Sequence, residues 1–171
     1  MKILVFSDSH GESALMSNII SAMREEIDMV IFAGDCVSDF TDFQYIFPDK
    51  VFYCVKGNCD YGNHEPAERL IDAGEKKIFL THGHMYGVKS GHMRIMEEAH
   101  RHGADICLYG HSHEPAIYIE QEVYFMCPGS ISEPRRVYYP TYGLIDIVND
   151  AVSLKIIGVE EGRFITHSEL D

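Results

Sequence analysis

Five short apolar runs in this chain each stop at a polar side chain of a type that can hold a ligand. Residues 2–6 lead into Asp8-Ser9-His10, 29–33 into Gly34-Asp35, and 51–55 into Gly57-Asn58-Cys59-Asp60. Residues 76–81 lead into His82-Gly83-His84, and 105–109 into Gly110-His111-Ser112-His113. Brief apolar runs without alternation are the pattern of strands buried on both faces. In an open α/β sheet, ligands collect outside the carboxyl ends of the strands. Parallel strands are therefore expected to bring these five loops to one edge. The adjacent Gly34, Gly57, Gly83 and Gly110 permit tight turns and close backbone approach.

The segments between the runs fit that arrangement. Met16, Ile19, Ile20, Met23 and Ile27 recur at helical spacing, which predicts a helix over 13–26. Residues 37–47 are expected as a short helix or turn. Residues 67–72 and 76–81 are expected as two strands joined through Ala73-Gly74. A helix is predicted over 91–102, with Glu97 and Arg101 at i,i+4 and Gly103 as its stop. Residues 116–120, 123–127, 141–148 and 151–158 are read as antiparallel strands, the last hairpin closed by Asn149-Asp150. A βαβ-like first half followed by hairpins predicts two packed sheets flanked by helices.

At 171 residues the chain suits a single domain, 1–171, since domains commonly hold about 100–200 residues. Apolar runs fall short of the roughly 18 residues of a membrane span, and the apolar start is shorter than a signal-peptide core. A cytoplasmic setting is expected, without a membrane partner. The net charge of -13 argues against an extended nucleic-acid surface, which needs clustered Lys and Arg. A small phosphate ester stays compatible if bound metal supplies positive charge locally. Five cysteines without any C-x-x-C spacing make neither a disulfide framework nor a zinc ribbon, and Cys54, Cys107 and Cys127 are read as buried thiols. Homo-oligomerisation is left open.

The ligand-type residues have a shared chemical logic. Neutral imidazoles with carboxylates and one amide oxygen suit Mn, Fe, Co, Ni or Zn better than Ca or Mg. There are too many candidate ligands for one tetrahedral ion, and a carboxylate shared between two ions resolves the count. Two ions roughly 3.5–4 Å apart clamp both oxygens of an in-line displacement and lower the pKa of bound water towards about 7.

The ordered set Asp8-x-His10, Gly34-Asp35, Gly57-Asn58-x-Asp60, His82-Gly83 and Gly110-His111-x-His113 resembles the calcineurin-like metallophosphoesterase superfamily. The chain's size and its Gly-Asn-Cys-Asp motif resemble the compact YfcE-like branch. The resemblance implies an α/β fold, a four-layer α/β/β/α sandwich of two mixed sheets. It implies that Asp8, His10, Asp35 and His113 hold one metal, that Asp35 bridges, and that Asn58, His82 and His111 complete the second. The expected cofactor is a pair of divalent ions, manganese first, with Ni, Fe, Co or Zn as alternatives. The expected activity is hydrolysis of a small phosphodiester or nucleotide-like substrate by a metal-bridging hydroxide, with Asp35, Asn58, Cys59 and Asp60 as catalytic candidates. The alternative is a protein-binding scaffold of the same fold, which the retromer subunit resembles.

Several residues keep two readings. Asp60 either orients Asn58 or a site histidine, or is a turn carboxylate. His84 either faces substrate or is a plain loop histidine. Arg135, with Arg136, either neutralises a substrate phosphate or is a solvated arginine. His64, His92, His100, His102 and His167 are read as surface groups. Two departures from the family pattern stand out. Many members have a histidine, thought to be the general acid, where this chain has Cys59, and the branch's Asn-Pro-Gly-Ser element has Cys127 in place of its Asn. A thiol titrates near about 8.5 and donates hydrogen bonds weakly, which predicts a preference for good leaving groups.

Overall fold

The computed structural model describes residues 1–160 and 163–170. Strand β1 (Lys2–Phe6) buries both faces, because alternate side chains point to opposite sides of a strand and all of them here are apolar beyond Lys2. Helix α1 (Ser13–Met23) returns the chain to β2 (Met29–Phe32), parallel to β1, and β3 (Val51–Cys54) follows parallel to β2. Between them lie a 3-10 turn at Val37–Asp39 and the short α2 (Phe43–Ile46). The chain then crosses to a second sheet with β4 (Glu68–Ala73), β5 (Lys76–Thr81), α3 (Met93–Arg101), β6 (Ile106–Leu108), β7 (Ala116–Glu120) and β8 (Val123–Cys127). It returns to the first sheet with β9 (Thr141–Val148), β10 (Ala151–Glu160) and β11 (Arg163–Leu170). Strand orders are β11-β10-β9-β1-β2-β3 and β4-β5-β6-β8-β7.

The two sheets face one another across Ile3, Val5, Ile31, Leu80, Leu108, Met126, Ile145 and Leu154. The outer face of the first sheet, with Leu4, Phe6, Val30 and Phe32, packs on Met16, Ile19 and Ile20 of α1 and on Phe40, Phe43 and Phe47. The outer face of the second, with Phe79, Cys107 and Phe125, packs on Ile95 and Ala99 of α3. The result is the expected α/β/β/α sandwich. Each such buried side chain contributes about 1.5–3 kcal/mol relative to exposure. Among the described residues, no helix is long and apolar enough to cross a membrane.

Local expectations needed correction at five places. Helix α1 stops at Met23, because the Glu26 N–H takes the Met23 carbonyl in an i→i+3 bond that tightens the last turn. The β4–β5 turn is Gly74-Glu75, with Ala73 paired to Lys76. In α3, Arg101 pairs with Glu98 at i,i+3 and not with Glu97 at i,i+4. Strand β8 is antiparallel to β7 but runs parallel to β6, so the β7–β8 hairpin extends the sheet with β7 at its edge. Strand β11 was missed. It is an edge strand paired only with β10, so its sequence lacks the two-faced apolar signal. The Asn149-Asp150 turn matches its expectation, with φ of 48° and 66°.

The carboxyl ends of β1, β2 and β3 meet those of β5 and β6 at one edge of the sandwich. The Asp8 N–H donates to the Gly34 carbonyl (3.0 Å), and the Gly110 N–H to the His82 carbonyl (3.1 Å). Across the two sheets, the His111 N–H donates to Asp8 Oδ2 (3.0 Å). Gly110 permits this approach, because a Cβ there would overlap Ser7 Oγ and crowd Asp8 Oδ2. Gly110→Ala should lower stability by about 1–3 kcal/mol through overpacking. An unchanged denaturation midpoint would mean that the two loops are not in contact.

Candidate metal centre

Strand β1 delivers Asp8 into full burial. Its Oδ2 accepts from the Ser7 hydroxyl (2.5 Å) and the His111 N–H, while its carbonyl accepts from the hydroxyls of Ser130 (2.7 Å) and Ser132 (3.1 Å). Ser7, Ser130 and Ser132 therefore position Asp8, and only the Pro-Gly-Ser element hinted at any of them. Asp8 Oδ1 is buried with no hydrogen-bond partner.

Strand β2 delivers Asp35, 2% exposed. Its Oδ1 accepts the Cys59 N–H (2.8 Å), and His82 Nε2 lies 3.3 Å from its Oδ2. Burial alone would raise the Asp35 pKa, but the His82 contact and the Cys59 N–H hold it well below the usual carboxylate range. Asp60 orients neither Asn58 nor a histidine. Its carboxylate accepts the backbone N–H groups of Asp35 (3.0 Å), Val37 (2.7 Å) and Gly57 (2.7 Å), so it ties the β2 and β3 loops together. Three N–H donors on one carboxylate make it a positioning residue for Asp35. Asn58 Oδ1 is buried and unpartnered, while its Nδ2 donates to Cys59 Sγ (3.3 Å). Partial burial and then the neighbouring Asp35 push the Cys59 thiol up to about 11.

Two of the imidazoles share one mode of anchoring. His82 Nδ1 lies 2.7 Å from the Ala33 carbonyl, and His113 Nδ1 lies 2.8 Å from the Glu133 carbonyl. Donation through Nδ1–H fixes the tautomer and leaves the Nε2 lone pair for a cation. His113 Nε2 then faces Asp8 Oδ1 at 3.1 Å. The Asp8 contact raises the His113 pKa against the opposing effect of burial, as a carboxylate that attracts a proton also attracts a metal. His111 is pushed down to about 4 by burial and then by the nearby His82 and Lys89, so its ring is neutral near pH 7. His10 has its Nε2 buried without a partner and its Nδ1 3.7 Å from Cys36 Sγ.

The structure brings the predicted residues into two groups. Ligand atoms of Asp8, His10 and His113 lie within 4.8 Å of one another, as do those of Asp35, His82 and His111. His82 Nε2 links the groups, 3.3 Å from Asp35 and 3.9 Å from Asp8. Among the described residues, four of the eight buried polar side-chain atoms without a hydrogen-bond partner belong to these loops' predicted ligands: Asp8 Oδ1, His10 Nε2, Asn58 Oδ1 and His82 Nε2. Buried polar groups are normally hydrogen-bonded. A cluster of orphaned lone pairs fits a cation site.

Asp8, His10, Asp35, His111 and His113 all adopt φ between 40° and 65°. Left-handed backbone is uncommon for non-glycine residues and, where it persists, collects at functional sites.

The remaining candidates divide. His84 sits beside the centre, its ring 5.4 Å from that of His82, with Nδ1 buried and unpartnered. It lines a cavity with Asn58, Asp60 and His64. Arg135 is exposed, and its backbone N–H donates to the His113 carbonyl (3.0 Å). Arg136 pairs with Glu114 (2.7 Å). Cys127 is buried beneath the histidine loop, its Sγ 3.3 Å from Ser112 Oγ. His92, His100 and His102 are half-buried rather than surface groups, His92 stacked on Tyr118 and His102 on Phe79, with His100 Nε2 buried. A third group, Glu68, Glu98 and His102, was not anticipated, and its carboxylates are already satisfied by Tyr86 and Arg101.

Comparison with known proteins places most of the chain in one family. The chain is 34% identical over 155 residues to the probable metallophosphoesterase YsnB of Bacillus subtilis, covering 91% of this chain and 89% of that protein. It is 28% identical over 177 residues to the phosphodiesterase YfcE of Escherichia coli K12, covering 90% and 91% respectively. The zinc complex of Vps29 from Entamoeba histolytica shares the fold, with a TM-score of 0.81 over 100% of this chain and 99% of that one, at 21% identity. Residues 1–150, which contain both ligand groups, match the Calcineurin-like phosphoesterase superfamily domain. With its motifs in order and its sandwich fold in place, the chain belongs to that superfamily.

Proposed function

We propose that this chain is a two-metal phosphodiesterase acting on a small phosphate ester. The observation that carries this reading is the set of buried, unpartnered atoms Asp8 Oδ1, His10 Nε2, Asn58 Oδ1 and His82 Nε2 on converging loops. Asp8, His10 and His113 would hold one ion, His82, His111 and Asn58 the other, with Asp35 shared. The imidazole, carboxylate and amide donors suit manganese or a neighbouring transition metal. Divalent ions at these positions supply a nucleophile from water near neutral pH and positive charge for the phosphoryl oxygens.

The chain's own residues set the rest. Asp60 holds Asp35 in register through the backbone, and Asn58 presents its amide beside the centre. Cys59, protonated at neutral pH, is a weak proton donor to a leaving oxygen, which favours esters whose alcohol departs as an anion. A protein-binding scaffold on the same fold is the competing reading, and the complete ligand groups favour hydrolysis over it. Five free cysteines suit a reducing, cytoplasmic setting.

Elemental analysis after manganese loading should find two ions per chain, and one or fewer would remove the binuclear assignment. Asp35→Ala should lose metal and turnover together, because a shared carboxylate serves both ions. Near-normal metal content in that variant would show that Asp35 is not shared.

Hydrolysis of an aryl phosphodiester should outpace that of the matching alkyl diester. Cys59→His should raise the alkyl rate selectively, up to the about 10²–10⁴-fold typical of general acid catalysis. A fully metallated Cys59→His enzyme with unchanged leaving-group selectivity would sink the role given to this position.

A further inference from the structure

Beside the metal centre lies a cavity of about 450 Å³ whose walls include Lys89, Tyr109, Ser112, Glu114 and Arg135. Ser112 sits between His111 and His113, so cavity and centre share a wall. The Tyr109 hydroxyl lies 3.4 Å from His92 Nε2 on the same lining. The volume falls within the roughly 300–1,000 Å³ of small-molecule sites and is far more than one phosphoryl group needs.

The charges of this lining are unusual for the chain. The net charge is -13, yet the cavity gathers three cations and a single carboxylate. That carboxylate, Glu114, is already matched by Arg136. Among the described residues, Lys89 and Arg135 have no carboxylate within ion-pair distance. They come from different segments, Lys89 from the loop before α3 and Arg135 from the loop after β8. Arg135 is tied to the histidine loop directly, its backbone N–H donating to the His113 carbonyl (3.0 Å).

Two cations without a carboxylate partner, facing one cavity beside a centre that itself gathers positive charge, call for an anionic recipient. The scissile phosphoryl group would meet the ligand loops themselves, on which neither residue stands. We propose that this cavity is a subsite for a second phosphoryl group carried by the substrate, held by Lys89 and Arg135, with the organic body of the ester filling the space between. It rests on the reading of the neighbouring centre as a phosphodiesterase. Arginine's planar fork and lysine's point charge are the usual recognition elements for such a group.

The test uses the full chain loaded with manganese and two probes, the p-nitrophenyl ester of thymidine 5′-phosphate with and without a 3′-phosphate. The doubly phosphorylated ester should be preferred about tenfold or more in kcat/KM, chiefly through KM, as expected for charge-assisted contacts. The double variant Lys89→Ala with Arg135→Ala should bring that ratio close to one, and Lys89→Arg should retain it. A wild-type ratio near one, or a preference that survives in the double variant, would overturn the subsite. If two ions bind but neither ester is cleaved, the phosphodiesterase reading fails. Calorimetry then decides the subsite alone: thymidine 3′,5′-bisphosphate should bind more tightly than the 5′-monophosphate, and equal affinity would overturn it.

Discussion

The structure turns on a confrontation of like partners, Asp8 Oδ1 and His113 Nε2, 3.1 Å apart. The His113 ring is anchored through Nδ1 to the Glu133 carbonyl, so its neutral form offers Asp8 a lone pair rather than a proton. His82 repeats the pattern between the Ala33 carbonyl and Asp35. Carboxylates buried with imidazole lone pairs are stable only when positive charge is shared among them. A proton or a metal ion meets that need, and the raised pKa of His82, drawn up by Asp35 and Asp8 against the effect of burial, marks the same demand.

Holding such groups together requires a frame that does not relax. Strands buried on both faces supply it, because their loops begin from backbone fixed by packing above and below. The loops then hold five of the candidate ligands in left-handed conformations that each cost of order 1–3 kcal/mol. Gly57 and Gly110 complete the frame: a Cβ at Gly57 would overlap the Asp35 carboxylate, and one at Gly110 would overlap the Ser7 hydroxyl. Asp60 contributes its charge to three backbone N–H groups, which makes the Asp35 loop and the Asn58 loop one unit.

Electrostatics divides the surroundings of the centre into two sides. On the side of Asn58, Cys59 and His84, the thiol stays protonated and His84 is held neutral by burial and then by His82. That side offers little acid to a departing alcohol. On the side of Ser112, Lys89 and Arg135 concentrate positive charge in an otherwise acidic protein. Under the proposed phosphodiesterase activity, the alcohol of a substrate spanning both sides would depart on the first, and its second phosphoryl group would be held on the second.

The sequence by itself singled out the candidate ligands and the strands that deliver them. Asp8, Asp35 and His82 follow strands with short apolar runs, and that signal is local: an apolar run without alternation marks burial on both faces before any partner strand is known. The family motifs added the expected sandwich for the same reason, since they are spacings along the chain. Only the tertiary structure decided that β8 lies parallel to β6, that β11 closes an edge, that Asp60 serves the backbone of Asp35, and that Lys89 and Arg135 share a cavity. Each of these depends on contacts between distant segments, and a polar residue in a loop carries the same local pattern whether it meets solvent, a backbone N–H or a ligand.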